Sequence, residues 1–144
     1  MSKLFALYAL LFAPLALHDC GSLGTREAFV PVSEIDVIDG DTFYHGDDRY
    51  RLKGFDTPET YFPKCAAEYE LDQKAKDRLA DLLYQNGGVD LQIDPVRDNY
   101  GRFLAQASVD GNDVGSILIS EGLAWPYAGG KRPPWCSFLK GDGG

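Results

Sequence analysis

Histidine, cysteine and positive charge are all scarce in this chain. His18 and His45 are the two histidines, and neither has ligand spacing to the three cysteines, which argues against a zinc site. Lys and Arg together number 14 against 22 Asp and Glu, a formal net charge of −8. That balance excludes a general basic coat for nucleic acid, though not a local cationic site. The longest uncharged run, Leu4 to Leu17, falls short of the ~20 residues a bilayer-spanning helix requires. There is no internal repeat and no low-complexity tract. What is present is glycine and proline, 16 and 8 of them, which imply frequent turns and disfavour an all-helical bundle. A length of 144 residues suits one domain, and 44% hydrophobic with 25% charged residues suits a globular one.

Lys3, the apolar run behind it and the small residues that follow have the order of a secretory signal peptide, placed at residues 1–22. Its removal takes away Lys3 and Asp19 and leaves the net charge unchanged. The expected location is therefore secreted or periplasmic. The alternative is a lipid or membrane anchor outside the cytoplasm through Cys20, which Asp19 directly before it fits poorly. Cys65 and Cys136 then remain as an even pair, the disulfide candidate of an exported protein. Two unpaired thiols are the other possibility.

Residues 23–33 read as a loose leader. Short β-rich pieces follow from Glu34 to His45, interrupted by Asp39-Gly40-Asp41, and a hairpin spans roughly 41–54 with its turn at Gly46-Asp47-Asp48. Over 65–84 the period changes. Leu71, Ala75, Leu79, Leu82 and Leu83 fall on one helical face, Asp72 lies off it, and Asn86-Gly87-Gly88 stops the helix. Val89, Leu91 and Ile93 alternate as a strand, Phe103–Val109 is another, and Asp110-Gly111 is a turn. A short helix runs from Val114 to Glu121, then a brief strand over 123–127, and residues 129–144 read as an irregular tail. The order β-β-β-α-β-β-α predicts a mainly β (α+β) fold over 34–128, a five-stranded OB barrel capped by helices. An α+β sandwich would read much the same.

Four segments hold polar residues that can do chemistry. Asp41 and Asp56 flank the two ends of the hairpin and can converge at its base, where carboxylates with backbone oxygens suit a hard cation such as Ca²⁺. Thr57 offers a carbonyl, and Pro58 stiffens the link to Glu59, which near a metal can accept a proton from water. Arg51 and Arg102 are planar donor forks that match phosphate oxygens two at a time. Alone, each piece has an ordinary explanation: Asp-Gly-Asp as a turn, Arg51 as an ion-paired residue, Asp-Thr-Pro-Glu as a helix cap, Tyr100-Gly101-Arg102 as a tight turn.

Together they carry a resemblance. Ile38-Asp39-Gly40-Asp41-Thr42, Arg51 through Thr60, Asp98-Asn99-Tyr100-Gly101-Arg102 and Glu121-Gly122-Leu123-Ala124 resemble, in order, the motifs of the staphylococcal nuclease (thermonuclease) family. The resemblance spans residues 34 to about 127. It implies an OB barrel and Ca²⁺-dependent cleavage of DNA and RNA at the P–O5′ bond, leaving 3′-phosphate ends. By motif, Asp41 and Asp56 correspond to the family's metal carboxylates and Thr57 to its carbonyl ligand, with Asp39 just outside. Arg51, Glu59 and Arg102 correspond to its catalytic residues, Tyr100 lines the nucleotide pocket, and Tyr127 is a base-stacking aromatic.

The chain departs from the best-known member in four places. Asn99 replaces a lysine, the hairpin between Asp41 and Arg51 is shorter, and so is the loop between Glu59 and the helix. The C-terminal helix is replaced by Gly129 through Cys136, where a Cys65–Cys136 bond would do the anchoring. The expected partner is a DNA or RNA substrate, with no stable protein partner and a monomeric state. At −8 the chain is expected to bind a polyanion modestly and to prefer frayed or single strands. The metal, Arg51, Arg102, Lys131 and Arg132 would supply a local cationic site for it. The alternative is an OB module that binds nucleic acid or protein and has lost catalysis.

Overall fold

A computed structural model describes residues 24–140; the signal-peptide reading of residues 1–22, with Cys20 and the anchor alternative, lies outside the described residues. Nine short strands and three helices follow one another among the described residues. They are β1 (Arg26–Pro31), β2 (Ile35–Asp39), β3 (Thr42–His45), β4 (Asp48–Leu52), β5 (Gly54–Asp56), α1 (Ala66–Gln85), β6 (Gly88–Ile93), β7 (Phe103–Val109), β8 (Asn112–Asp113), α2 (Val114–Ser120), β9 (Trp125–Tyr127) and α3 (Trp135–Leu139).

The leader reading of residues 23–33 is corrected by β1. Arg26 to Pro31 pairs antiparallel with β6 along its whole length, from Arg26↔Ile93 to Pro31↔Gly88. Val30 turns inward and is buried, while Phe29 stays 58% exposed. The charged Arg26 and Glu27 and the flanking Pro31 hide the alternation in the sequence.

The sheet order is β1-β6-β7-β4-β3-β2, with β8 attached to β7. Its two edges, β1 and β2, are consecutive in the chain and joined by one 3-10 turn, Val32–Glu34. A sheet whose edges are neighbours in sequence has to curl. With β1 and β2 taken as one bent strand, the expected five-stranded OB barrel is what forms. Phe43 stacks on Tyr50 at 5.5 Å and Tyr50 on Phe103 at 5.1 Å, filling it.

α1 caps the barrel with Ala75, Leu79, Leu82 and Leu83, all buried. The expected stripe is corrected at two positions: Leu71 is half-buried and Asp72 is fully buried. Asp72 tolerates this because Thr60 Oγ1 donates to it at 2.9 Å and Gln73 Nε2 at 3.0 Å. Burial nevertheless pushes its carboxyl above the ordinary range.

β5 and β9 form a separate two-stranded ribbon in which Asp56 opposes Trp125. The tail is less irregular than expected. α3 buries Trp135, and Trp125 meets Trp135 edge-on at 6.0 Å and stacks on Phe138 at 4.4 Å. Cys65 and Cys136 are joined in a disulfide with Cα atoms 6.0 Å apart, closing a separation of 71 residues and fixing the tail to the start of α1.

Candidate active site

Register decides which side chains meet. β3 pairs with β4 so that Thr42 opposes Arg51, and β4 pairs parallel with β7 so that Arg51 opposes Leu104. Side chains two residues apart on an extended chain share a face, so Arg102 and Leu104 stand on the same side as Arg51. Asp41 sits at the turn before β3, and its carbonyl accepts from Leu52 N at 2.7 Å. Gly40 beside it is needed for close approach, since a Cβ there would lie 2.7 Å from both Ala75 Cβ and Thr57 Cγ2. The β5 ribbon then delivers Asp56, Thr57, Pro58 and Glu59 to the same place.

These elements bound a cleft of about 810 Å³ lined by Asp41, Arg51, Asp56, Thr57, Glu59, Tyr100, Arg102 and Tyr127. Every residue that the sequence offers as a catalytic, metal-binding or stacking candidate therefore lines one space. Cys65 and Cys136 lie apart from it, in the disulfide.

Arg51 bridges the two carboxylates, with Nη1 3.0 Å from Asp41 Oδ2 and Nη2 3.3 Å from Asp56 Oδ1. It also donates to the carbonyls of Leu52 and Phe55. Asp41 Oδ2 accepts further from Thr57 N at 3.3 Å and Thr57 Oγ1 at 3.2 Å, and Oδ1 from Thr42 Oγ1 at 2.9 Å. Asp39 Oδ1 accepts from Asp41 N at 3.0 Å, so it orients the turn from outside. Arg102 is held from below: Asp98 accepts from its Nε at 2.8 Å and from its backbone N at 2.9 Å. Burial works to raise the Asp98 carboxyl, but these donors and the Tyr100 amide overcome it and hold the carboxyl below its usual range. The guanidinium of Arg102 lies 5.3 Å from the Tyr100 ring, which is itself 77% exposed. Tyr127 donates through its hydroxyl to Gly130 O at 2.7 Å.

The two carboxylates are taken out of water despite their arginine partners. Asp41 is 5% and Asp56 1% exposed. Burial raises Asp41 to about 6 from 3.8; Arg51 opposes the shift and Asp39 adds to it. Burial raises Asp56 too, against the pull of Arg132. Two desolvated carboxylates beside the Thr57 carbonyl form a hard-oxygen donor set that fits Ca²⁺. The other metal-like group among the described residues, Cys65, Glu68 and Cys136, has both sulfurs in the disulfide.

Arg132 was expected only as one cation of a local patch, and Trp135 not at all; the structure puts both on the site carboxylates. Arg132 Nε donates to Asp56 Oδ1 at 3.1 Å and Oδ2 at 3.2 Å, Nη2 donates to Thr57 O at 2.9 Å, and Nη1 pairs with Glu59 Oε2. Burial works to lower its pKa, and Asp56 and Glu59 more than restore it, so the guanidinium stays charged. Trp135 Nε1 donates to Asp56 Oδ2 at 3.3 Å. A signal did exist: once Cys136 is paired with Cys65, a cation four residues earlier is confined near the segment that carries Glu59.

Comparison with known proteins agrees with this geometry. The family model described as "Staphylococcal nuclease homologue" matches residues 49–134. The SPbeta prophage-derived endonuclease YokF of Bacillus subtilis (strain 168) is 39% identical over 95 residues, covering 61% of this chain and 31% of that protein. Endonuclease YncB of the same strain is 40% identical over 95 residues, covering 61% of this chain and 44% of that protein. The chain thus spans less than half the length of either relative. Asp41 precedes the matched segment and joins the site through the fold. With more than half of its residues inside the match, the chain belongs to the staphylococcal nuclease homologue family.

Proposed function

We propose that this protein is a nuclease that uses Ca²⁺ to hydrolyse phosphodiester bonds of DNA or RNA, leaving 3′-phosphate ends. The observation that carries the reading is that Arg51, Arg102, Glu59 and the two buried carboxylates line one cleft, with Arg51 on both carboxylates. The names of the two Bacillus relatives support it. A module without catalysis has no use for two buried carboxylates that cost stability, so the enzyme reading is favoured.

The chemistry follows from the residues. Asp41, Asp56 and the Thr57 carbonyl would hold the metal, which would supply charge neutralisation at the phosphate and a more acidic water. Arg51 and Arg102 bind the non-bridging phosphate oxygens, and their planar forks stabilise the extra charge that builds on phosphorus during attack. Asp98 holds one edge of Arg102, which pre-orders that fork. Glu59 takes the proton from the attacking water. The water oxygen bonds to phosphorus as the P–O5′ bond breaks, the electron pair leaves with the 5′ oxygen, and that oxygen takes a proton from solvent water to become a hydroxyl. Tyr100 and Tyr127 present faces on which a base can stack.

Action outside the cytoplasm is part of the proposal. The Cys65–Cys136 disulfide supports it, because such bonds persist in oxidising compartments. The test is incubation of the protein with denatured DNA in Ca²⁺ or in chelator. Products carrying 3′-phosphates in Ca²⁺ and none in chelator are expected. Undegraded DNA in both would overturn the reading.

A further inference from the structure

Arg132 donates to oxygens that the proposed metal would use. Its guanidinium engages both oxygens of Asp56 and the carbonyl of Thr57, two of the three protein ligands in the donor set. It also pairs with Glu59, the group assigned to accept the proton from water. A cation held through Asp56 and Thr57 O would share those oxygens with this positive group, and the like charges would repel. The two occupants draw on the same oxygens.

The tail is built to keep Arg132 there. Pro133 and Pro134 stiffen the two residues after it. Trp135 is buried and donates to the same Asp56 carboxylate. Cys136 is covalently tied to Cys65, only six residues beyond Glu59. A guanidinium tethered this closely acts at high effective concentration. Its side chain is 42% exposed, so it has room to swing outward without breaking the core.

We propose that Arg132 is a tethered competitor for the divalent cation: in the metal-free protein it occupies the Asp56–Thr57 cradle and restrains Glu59, and metal binding displaces it. The tail thereby sets the apparent metal affinity and keeps the base engaged until the metal arrives. This rests on the metal-dependent reading of the site given above. The apparent affinity is weakened by the fraction of molecules in which Arg132 holds the cradle, so removing the competitor tightens binding.

The experiment is calorimetric titration of Ca²⁺ into the wild type and into Arg132→Met, Arg132→Lys and Asp41→Asn, with circular dichroism as the folding control. Tryptophan fluorescence follows the displacement in parallel, because Trp135 shares Asp56 with Arg132. Arg132→Met is expected to bind Ca²⁺ about tenfold or more tightly, with Arg132→Lys between it and the wild type, since lysine keeps the charge without the fork. Equal or weaker binding by Arg132→Met, with Asp41→Asn still losing it, overturns the competitor and leaves the metal site standing. No Ca²⁺ binding by either the wild type or Arg132→Met removes the metal reading and the competitor with it.

Discussion

Replacing Asp41 by asparagine should make the metal-free protein more stable. Asp41 is 5% exposed, and burial holds its pKa at about 6 in the folded chain against an ordinary 3.8. Between those values the native state binds more protons than the unfolded state, so this group's contribution to stability falls as pH rises from about 4 to about 6 and stays flat above. A gap of roughly two pK units corresponds to about 3 kcal/mol at pH 7. Asparagine is nearly isosteric. Its carbonyl can keep accepting from Thr57, its amide can donate to the Thr42 hydroxyl, and Arg51 keeps Asp56 as a partner. The assay is urea unfolding of both proteins in chelator from pH 4 to 8. The Asp41→Asn variant should gain up to about 3 kcal/mol at pH 7, with the difference vanishing near pH 4. In saturating Ca²⁺ the order should reverse, because only the wild type gains binding energy. A variant that is less stable than the wild type at pH 7 in chelator would refute the reasoning.

Other expectations are simpler. Arg102→Lys keeps the charge but loses the fork held by Asp98, so kcat should fall by two orders of magnitude or more with an unchanged circular dichroism spectrum; near-normal turnover would remove Arg102 from the mechanism. Substituting both Cys65 and Cys136 by Ser opens a 71-residue separation, for which loop entropy gives a loss of about 4 kcal/mol, read as a lower urea midpoint. Gly40→Ala must move Thr57 or Ala75, so it should cost on the order of 1–3 kcal/mol of stability and weaken Ca²⁺ binding, both measurable by titration. Heat-denatured DNA should be cut faster than native DNA, because Tyr100 and Tyr127 need an unpaired base to stack on; equal rates would count against that role.

Much of the barrel and most of the cleft were legible in the sequence, because alternation and helical period are local signals. Val89, Leu91 and Ile93 announce a strand without reference to anything distant, and so do the residues of the 41–54 hairpin. The motifs around Asp41, Asp56 and Arg102 could be read because their residue types fit a phosphodiester and their order matches a family. What escaped depended on long-range contacts. β1 carries only Ala28 and Val30 as an inward face, and its strand character comes from pairing with β6, about sixty residues away. Asp72 was placed on the polar side of α1 because carboxylates normally are. Its burial is made tolerable by Thr60, from the loop after Glu59. Arg132 sits in a glycine- and proline-rich tail whose composition suggests no fixed position, and its place depends on the disulfide that follows it.

The parallel pairing of β4 and β7 has a bearing on how this fold tolerates change. Arg51 and Arg102 are spaced by strand register rather than by the loop that separates them in sequence, with an offset of two residues, about 7 Å along the strands. Evolution can therefore rewrite residues 95–97 without altering the grip of the two guanidinium groups, provided that Asp98 stays to hold Arg102. A single residue inserted inside β4, by contrast, would turn Arg51 to the opposite side of the sheet. Variation among descendants of such a chain should accumulate in the part of that loop before Asp98 and spare the strand.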